Sequence, residues 1–214
     1  MRWATFDCYG TLVDWRHGIS TSADLIAPGR GAALLERYNR HEPQVQAESP
    51  ALRYRGVMAE ALRRACADEG LSPSADDLSV LAATLPYWPV FPEVGAALSA
   101  LLAAGWRLAL LTNCDRDLVA GTLRRLPVRF DAVVTAEDVG AYKPSDAHFT
   151  RFRGSYEPET WVHVAQSYVH DLVPAHRLGI RRVWINRLGE RPEDPSVPQD
   201  VLPDLWGLSG ILAS

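Results

Sequence analysis

Little in this chain of 214 residues points to a membrane, a nucleic acid or an oxidising compartment. It has only three cysteines, Cys8, Cys66 and Cys114, in an odd and widely spaced set without a Cys-x-x-Cys pair. That excludes a disulfide framework and a cysteine zinc site and fits a reducing cytoplasm, the expected location. No signal-like apolar segment opens the chain, and no apolar run approaches the roughly 18 residues of a membrane span. There is no Lys/Arg-rich run of five or more, and the formal charge of −4 lacks the basic excess of a nucleic-acid binder. The six histidines are scattered without a His-x-x-x-His pair. What is present is apolar material: 47% hydrophobic residues against 22% charged, enough for one sizeable core and a smaller satellite domain.

The chain is organised around its first fifteen residues. A short apolar strand, Trp3-Ala4-Thr5-Phe6, delivers Asp7 and breaks at Cys8-Tyr9-Gly10-Thr11. A carboxylate at the carboxyl end of a buried strand is a reactive-site placement, and Gly10 permits a turn tight enough to aim backbone amides at an anion. The simpler alternative is that Asp7 caps the next turn. Trp15 to Gly18 closes this motif. About seventy residues then read as helical, with helices over Gly31 to Asn39, Ala51 to Gly70 and from Ser74 to Leu85. Pro86-Tyr87-Trp88-Pro89-Val90-Phe91-Pro92 stops the last of them and marks the return from an insertion.

From Glu93 strands alternate with helices. Strands are predicted over Trp106 to Thr112, Asp131 to Thr135, Trp161 to Ala165 and Arg182 to Asn186, and helices over Val94 to Ala104, Leu118 to Leu126 and Leu172 to Leu178. Such alternation implies a parallel sheet. The segment from Arg187 to Leu202, rich in Pro, Glu and Asp, reads as a surface loop. Three stretches set polar residues where strands end: Thr112-Asn113, Lys143 in Tyr142-Lys143-Pro144-Ser145 with Pro144 entering a helix, and Gln166 to Asp171. Taken singly, Thr112 and Asn113 read as helix caps, Lys143 as a solvated charge and Asp171 as a carboxylate favoured at a helix N-terminus.

Taken together, Asp7-Cys8-Tyr9-Gly10-Thr11 followed by Thr112-Asn113, Lys143 and Asp171 after successive strands resembles the four motifs of the haloacid dehalogenase superfamily, specifically its 2-haloacid dehalogenase branch. The resemblance covers essentially the whole chain. It implies an α/β fold, a Rossmann-like doubly wound parallel sheet over residues 1–14 and 89–214, with a helical cap over 15–88. It further implies hydrolysis of a small 2-halo acid without metal or organic cofactor. Asp7 would be the nucleophile, Lys143 its counter-ion, Thr11 a hydrogen-bond donor and Asp171 the residue that positions water. Cys8 and Tyr9 amides with Thr112 would bind the substrate carboxylate, and Arg37, with Arg40 as competitor, would cradle the halide with Asn113. The cap helices would offer a homodimer surface, and Trp15 and Trp88 an apolar lining.

The chain departs from that branch at three positions. Gln166 and Tyr168 stand where Ser and Asn are usual, and Phe149 where a Tyr is usual, which sets larger side chains beside the expected water site and removes a hydroxyl. One alternative is a phosphatase of the same superfamily with magnesium as cofactor. That reading lacks the second acid, since Tyr9 holds its place, and the metal carboxylate at Gln166. A second alternative is a binding protein that has kept the fold with lost or changed activity.

Overall fold

All five stretches predicted as strands pair in one sheet, and a sixth joins them at its edge. The computed structural model describes residues 1–213. It contains β1 (Arg2–Phe6), β2 (Arg107–Thr112), β3 (Ala132–Thr135), β4 (Thr160–Ala165), β5 (Arg181–Ile185) and β6 (Asp200–Leu202). Their order is β3-β2-β1-β4-β5-β6 and every pairing is parallel. Leu108 to Leu111 and Val162 to Ala165 are fully buried without alternation, the signature of a parallel sheet covered on both faces. One face packs Trp3, Ala109, Leu111 and Val134 against Phe149, Phe152 and Ala175. The chain winds outward from β1 through β2 to β3, then restarts on the other side with β4. The carboxyl end of β1 is therefore the switch point of the topology, where open α/β sheets bind ligands.

The chain divides into two units. The first comprises Met1–Val13, Val90–Thr112 and the residues from Leu126 onward, and contains the sheet. Its longer helices are Val94–Ala103, ended by Gly105 at a φ of 81°, and Ala147–Tyr156. The second comprises Asp14–Pro89 and Asn113–Arg125. It is helical: Trp15–Ile26, Gly31–Glu48, Tyr54–Asp68 and Arg116–Leu123 are its main elements. Leu34, Leu35, Tyr38, Val57, Met58, Ala61, Leu62 and Ala65 form its buried stripes at helical spacing.

Several sequence expectations need correction. Residues 113–125, expected in the sheet domain, belong to the helical unit. Asp115 accepts from the amides of Tyr54 (2.9 Å) and Arg55 (3.0 Å), capping the first turn of Tyr54–Asp68, and Gly121 lies so close to Pro86 that a Cβ there would stand 2.8 Å from it. Trp15, read as the end of a loop motif, opens a helix, because Asp14 accepts from the His17 amide at 3.0 Å. The helix from Gly31 passes Asn39 and Pro43 to reach Glu48. The helix predicted from Ser74 is broken into Ala75–Leu78, Val80–Thr84 and a 3-10 turn at Leu85–Tyr87. Pro144 does not enter a helix; its peptide bond with Lys143 is cis and the helix starts at Ala147. The segment after Arg187 is not all loop, since Asp200–Leu202 pairs with β5. Trp88 is a core residue of the helical unit, packed on Gly18, with Nε1 donating to Thr84 (3.2 Å) and Ser22 (3.3 Å). Trp15 is half-buried.

Candidate active site

Asp7 follows β1 immediately, with its amide bound to the Val164 carbonyl of the neighbouring strand at 3.1 Å. The chain then folds back on itself: Leu12 and Val13 amides both reach the Cys8 carbonyl (2.8 and 3.0 Å), and the Gly10 amide reaches Val13 (2.7 Å). Gly10 has a φ of 103°, a backbone region in which a side chain would be strained. Thr11 is thereby set beneath the carboxylate. Its hydroxyl donates to Asp7 Oδ2 at 2.9 Å and accepts from the Gln166 amide at 2.9 Å.

Lys143, the only lysine among the 22 basic residues, is buried behind Asp7. Its Nζ donates to Asp7 Oδ1 (2.9 Å), to Asp171 Oδ1 (2.6 Å) and to the Leu111 carbonyl (2.9 Å), which saturates an ammonium's three donors. Asp171 reaches it from a π-helical turn, Tyr168–Leu172, that follows β4. Two buried carboxylates thus share one buried cation, and their proton affinities part. Burial raises that of Asp171, but Lys143 and a hydrogen bond from His163 outweigh it and hold the group at about 2. Burial, with the negative charge of Asp171, leaves Asp7 above the ordinary carboxylate range although Lys143 and Thr11 oppose this. Lys143 is penalised by burial too, yet its two carboxylate partners raise it above a normal lysine, so it carries its charge throughout the neutral range. His148 lies below this cluster with Nε2 3.1 Å from the Thr112 carbonyl, and burial and Lys143 push it down to about 4.

Four predicted residues, Asp7, Thr11, Lys143 and Asp171, therefore form one hydrogen-bonded cluster. Cys8 is buried directly after Asp7, Tyr9 is half-buried in the turn, and Thr112 is buried at the end of β2. Asn113 and Arg37 belong to the helical unit. There Arg37 Nε donates to Glu69 at 3.0 Å, an acid also bound by Arg30, and Arg40 is exposed. The departures behave differently from expectation in one case. Tyr168 turns its ring to Trp184 and exchanges hydrogen bonds with Asp194 (2.9 and 3.2 Å), so its bulk is taken up in packing. Phe149 is buried edge-on to His163 at 4.9 Å.

Two residues carry interactions that their positions in the sequence do not reveal. Arg187 ties the turn after Asp7 to the rest of the unit: it donates to the carbonyls of Gly10 (3.2 Å) and Thr11 (2.8 Å), pairs with buried Glu93 at 2.6 Å and lies over Phe91. His163 Nε2 lies 2.9 Å from Asp171 Oδ1. The only available signal for either was a polar side chain in or just after an otherwise apolar strand. Among the described residues, no three His, Cys, Asp or Glu side chains group as a metal-binding set.

The parallel sheet is wound from a switch point that carries an aspartate, with a lysine and a second aspartate behind it. The chain belongs to the haloacid dehalogenase-like hydrolase family, whose model matches residues 1–172. It is 26% identical over 221 residues to (S)-2-haloacid dehalogenase 4A of Burkholderia cepacia, covering 97% of this chain and 94% of that one. It is 32% identical over 123 residues to haloacid dehalogenase-like hydrolase domain-containing protein 3 of Danio rerio, a match that spans 55% of this chain and half of that protein's length. The solved L-2-haloacid dehalogenase from Xanthobacter autotrophicus superposes with a TM-score of 0.86 over 100% of this chain and 99% of its own, at 19% identity, and so shares the fold.

Proposed function

We propose that the protein hydrolyses the carbon-halogen bond of a small 2-halo acid through an ester on Asp7. The observation that carries this reading is the shared position of Lys143, 2.9 Å from Asp7 and 2.6 Å from Asp171. It supports a nucleophilic carboxylate and a separate, ionised carboxylate in one buried cluster, with Tyr9 where a phosphatase of the superfamily would carry its acid. The family membership and the full-length likeness to an enzyme named as an (S)-2-haloacid dehalogenase support it further.

In the first half-reaction an Asp7 oxygen attacks the carbon next to the substrate carboxylate, the new C–O bond forms and the halide leaves with the bonding pair. Attack opposite the leaving group inverts that carbon. In the second, water adds to the Asp7 carbonyl carbon while its proton passes to Asp171. The bond from that carbon to the substrate oxygen then breaks, and the leaving 2-hydroxy acid takes up the proton. Splitting one hydrolysis into two displacements lowers the barrier of each. Lys143 orients Asp7 and keeps it ionised against the effect of burial, and Thr11 fixes its second oxygen. The Cys8 and Tyr9 amides and Thr112 hold the substrate carboxylate. No metal or organic cofactor enters these steps. Three buried cysteines, none of them in a disulfide among the described residues, fit work in the cytoplasm.

The test is halide release from short 2-chloro, 2-bromo and 2-fluoro acids in the presence of chelator, with Asp7→Asn alongside. Release by the wild type that vanishes in the variant is expected. No release from any of the acids, with hydrolysis of small phosphate esters on adding magnesium, would replace this reading by the phosphatase one.

A further inference from the structure

The imidazole of His163 takes no part in these steps, yet it is fully buried and hydrogen-bonded at both nitrogens. Trp161 Nε1 donates to Thr5 Oγ1 (2.9 Å), Thr5 Oγ1 lies 2.9 Å from His163 Nδ1, and His163 Nε2 lies 2.9 Å from Asp171 Oδ1. An ionised carboxylate has no proton to give, so Nε2 must carry it, whatever the charge on the ring. Thr5 adapts at Nδ1, because its hydroxyl both donates and accepts and can turn to the Val162 carbonyl at 3.3 Å. Phe149 holds the ring edge-on at 4.9 Å. The imidazole is thus fixed from behind and from the side, with one N–H aimed at Asp171.

The consequence falls on the two oxygens of Asp171. Oδ1 receives both Lys143 and His163. Oδ2, although buried, receives no hydrogen bond from any described residue. Both oxygens of Asp7 are already engaged, by Lys143 and by Thr11. Among the described residues, Asp171 Oδ2 is therefore the one uncommitted carboxylate oxygen of the cluster.

We infer that His163 is a positioning residue for ester hydrolysis: by occupying Oδ1 together with Lys143 it fixes the rotation of the Asp171 carboxylate and reserves Oδ2 for the proton of the attacking water. This rests on the dehalogenase reading and adds to it a division of labour, since His163 has no part in halide displacement.

Two measurements test it. Long-range 1H–15N correlation of the His163 ring in the wild-type protein is expected to show the proton on Nε2; a ring protonated on Nδ1 alone overturns the inference, and this readout needs no activity. Rapid-mixing kinetics then compare His163→Phe, which removes the donor, with His163→Gln, which keeps an N–H. In His163→Phe one equivalent of halide per site is expected at a rate within about threefold of wild type, followed by turnover slowed roughly ten- to hundred-fold and an Asp7 ester visible by intact mass. His163→Gln is expected to recover most of that turnover. Equal slowing of burst and turnover, or no recovery by Gln, overturns the positioning role. A wild type silent toward every halo acid would count against the proposed function and leave the tautomer measurement to decide the present point.

Discussion

Lys143 Nζ stands 2.6 Å from Asp171 Oδ1, the closest approach in a cluster whose second carboxylate, on Asp7, is 2.9 Å from the same nitrogen. One buried cation is therefore shared by two buried carboxylates, and with both ionised the cluster carries excess negative charge. Burying such charge is unfavourable unless every member is paired, and removing the shared partner is far worse than removing either end.

Lys143→Met is accordingly expected to abolish turnover and to destabilise the fold by about 3–5 kcal/mol at neutral pH. The deficit should shrink as pH falls, because protonating one carboxylate relieves the repulsion. Urea unfolding of variant and wild type at pH 7.5 and pH 5 measures both effects.

Asp7→Asn tests the same electrostatics from the other side. The folded state holds the Asp7 pKa above its unfolded value, so relative to an ordinary carboxylate Asp7 favours the fold at low pH, and that advantage is lost as pH rises through the folded value. Removing the charge should therefore raise the thermal midpoint at pH 7.5, by roughly 2–4 °C for each kcal/mol gained, with a smaller gain near pH 4. Asp171 has the opposite sign. Its folded pKa of about 2 stabilises the protein above the unfolded value near 3.9, and this contribution is lost as pH falls from about 4 to 2. In Asp171→Asn that acid loss should be absent.

Because Lys143 is the only lysine and is buried, amine chemistry reports directly on the cluster. Reductive methylation of the native protein should modify the N-terminal amine and leave Nζ untouched, and the same reaction in denaturant should modify both. Peptide mass spectrometry distinguishes the two, and native modification at Lys143 would contradict the buried placement.

Arg187→Ala removes the clamp on the Gly10 and Thr11 carbonyls and strands the carboxylate of Glu93, which is 3% exposed. The expected cost is about 1–3 kcal/mol in stability. A fall in turnover of at least about tenfold should accompany it, since the turn that positions Asp7 and Thr11 loses its support. Arg187→Lys should restore part of the pairing with Glu93 but not the two-carbonyl grip, because an ammonium lacks the planar fork. Halide release and thermal melting of the pair separate these contributions.

Much of this architecture was legible in the residues themselves. The five strands were marked by short apolar runs, and Gly105 and the three prolines around Trp88 marked where helices stop; these signals are local and survive any tertiary context. The order Asp7, Thr112, Lys143, Asp171 after successive strands was legible for a related reason: a doubly wound sheet brings successive strand ends to one edge, so the segments that follow them, here as far on as Lys143 beyond Ala136–Val139, reach the same crevice.

Local sequence thus dictates the alternation of elements and the residue types that follow the strands. Tertiary structure alone decided the partners. His163 sits in Trp161-Val-His-Val-Ala, where an apolar run signals burial but not what a buried imidazole touches, and only the register of β4 beside β1 brings Thr5 to its Nδ1. Arg187 grips a turn about 176 residues earlier in the chain, a contact with no local periodicity. Residues 113–125 read as part of the sheet domain, yet they join the helical unit because Asp115 meets orphan amides at the start of Tyr54–Asp68. Each of these depends on which donors and acceptors burial leaves unsatisfied, and that is settled only when distant segments meet.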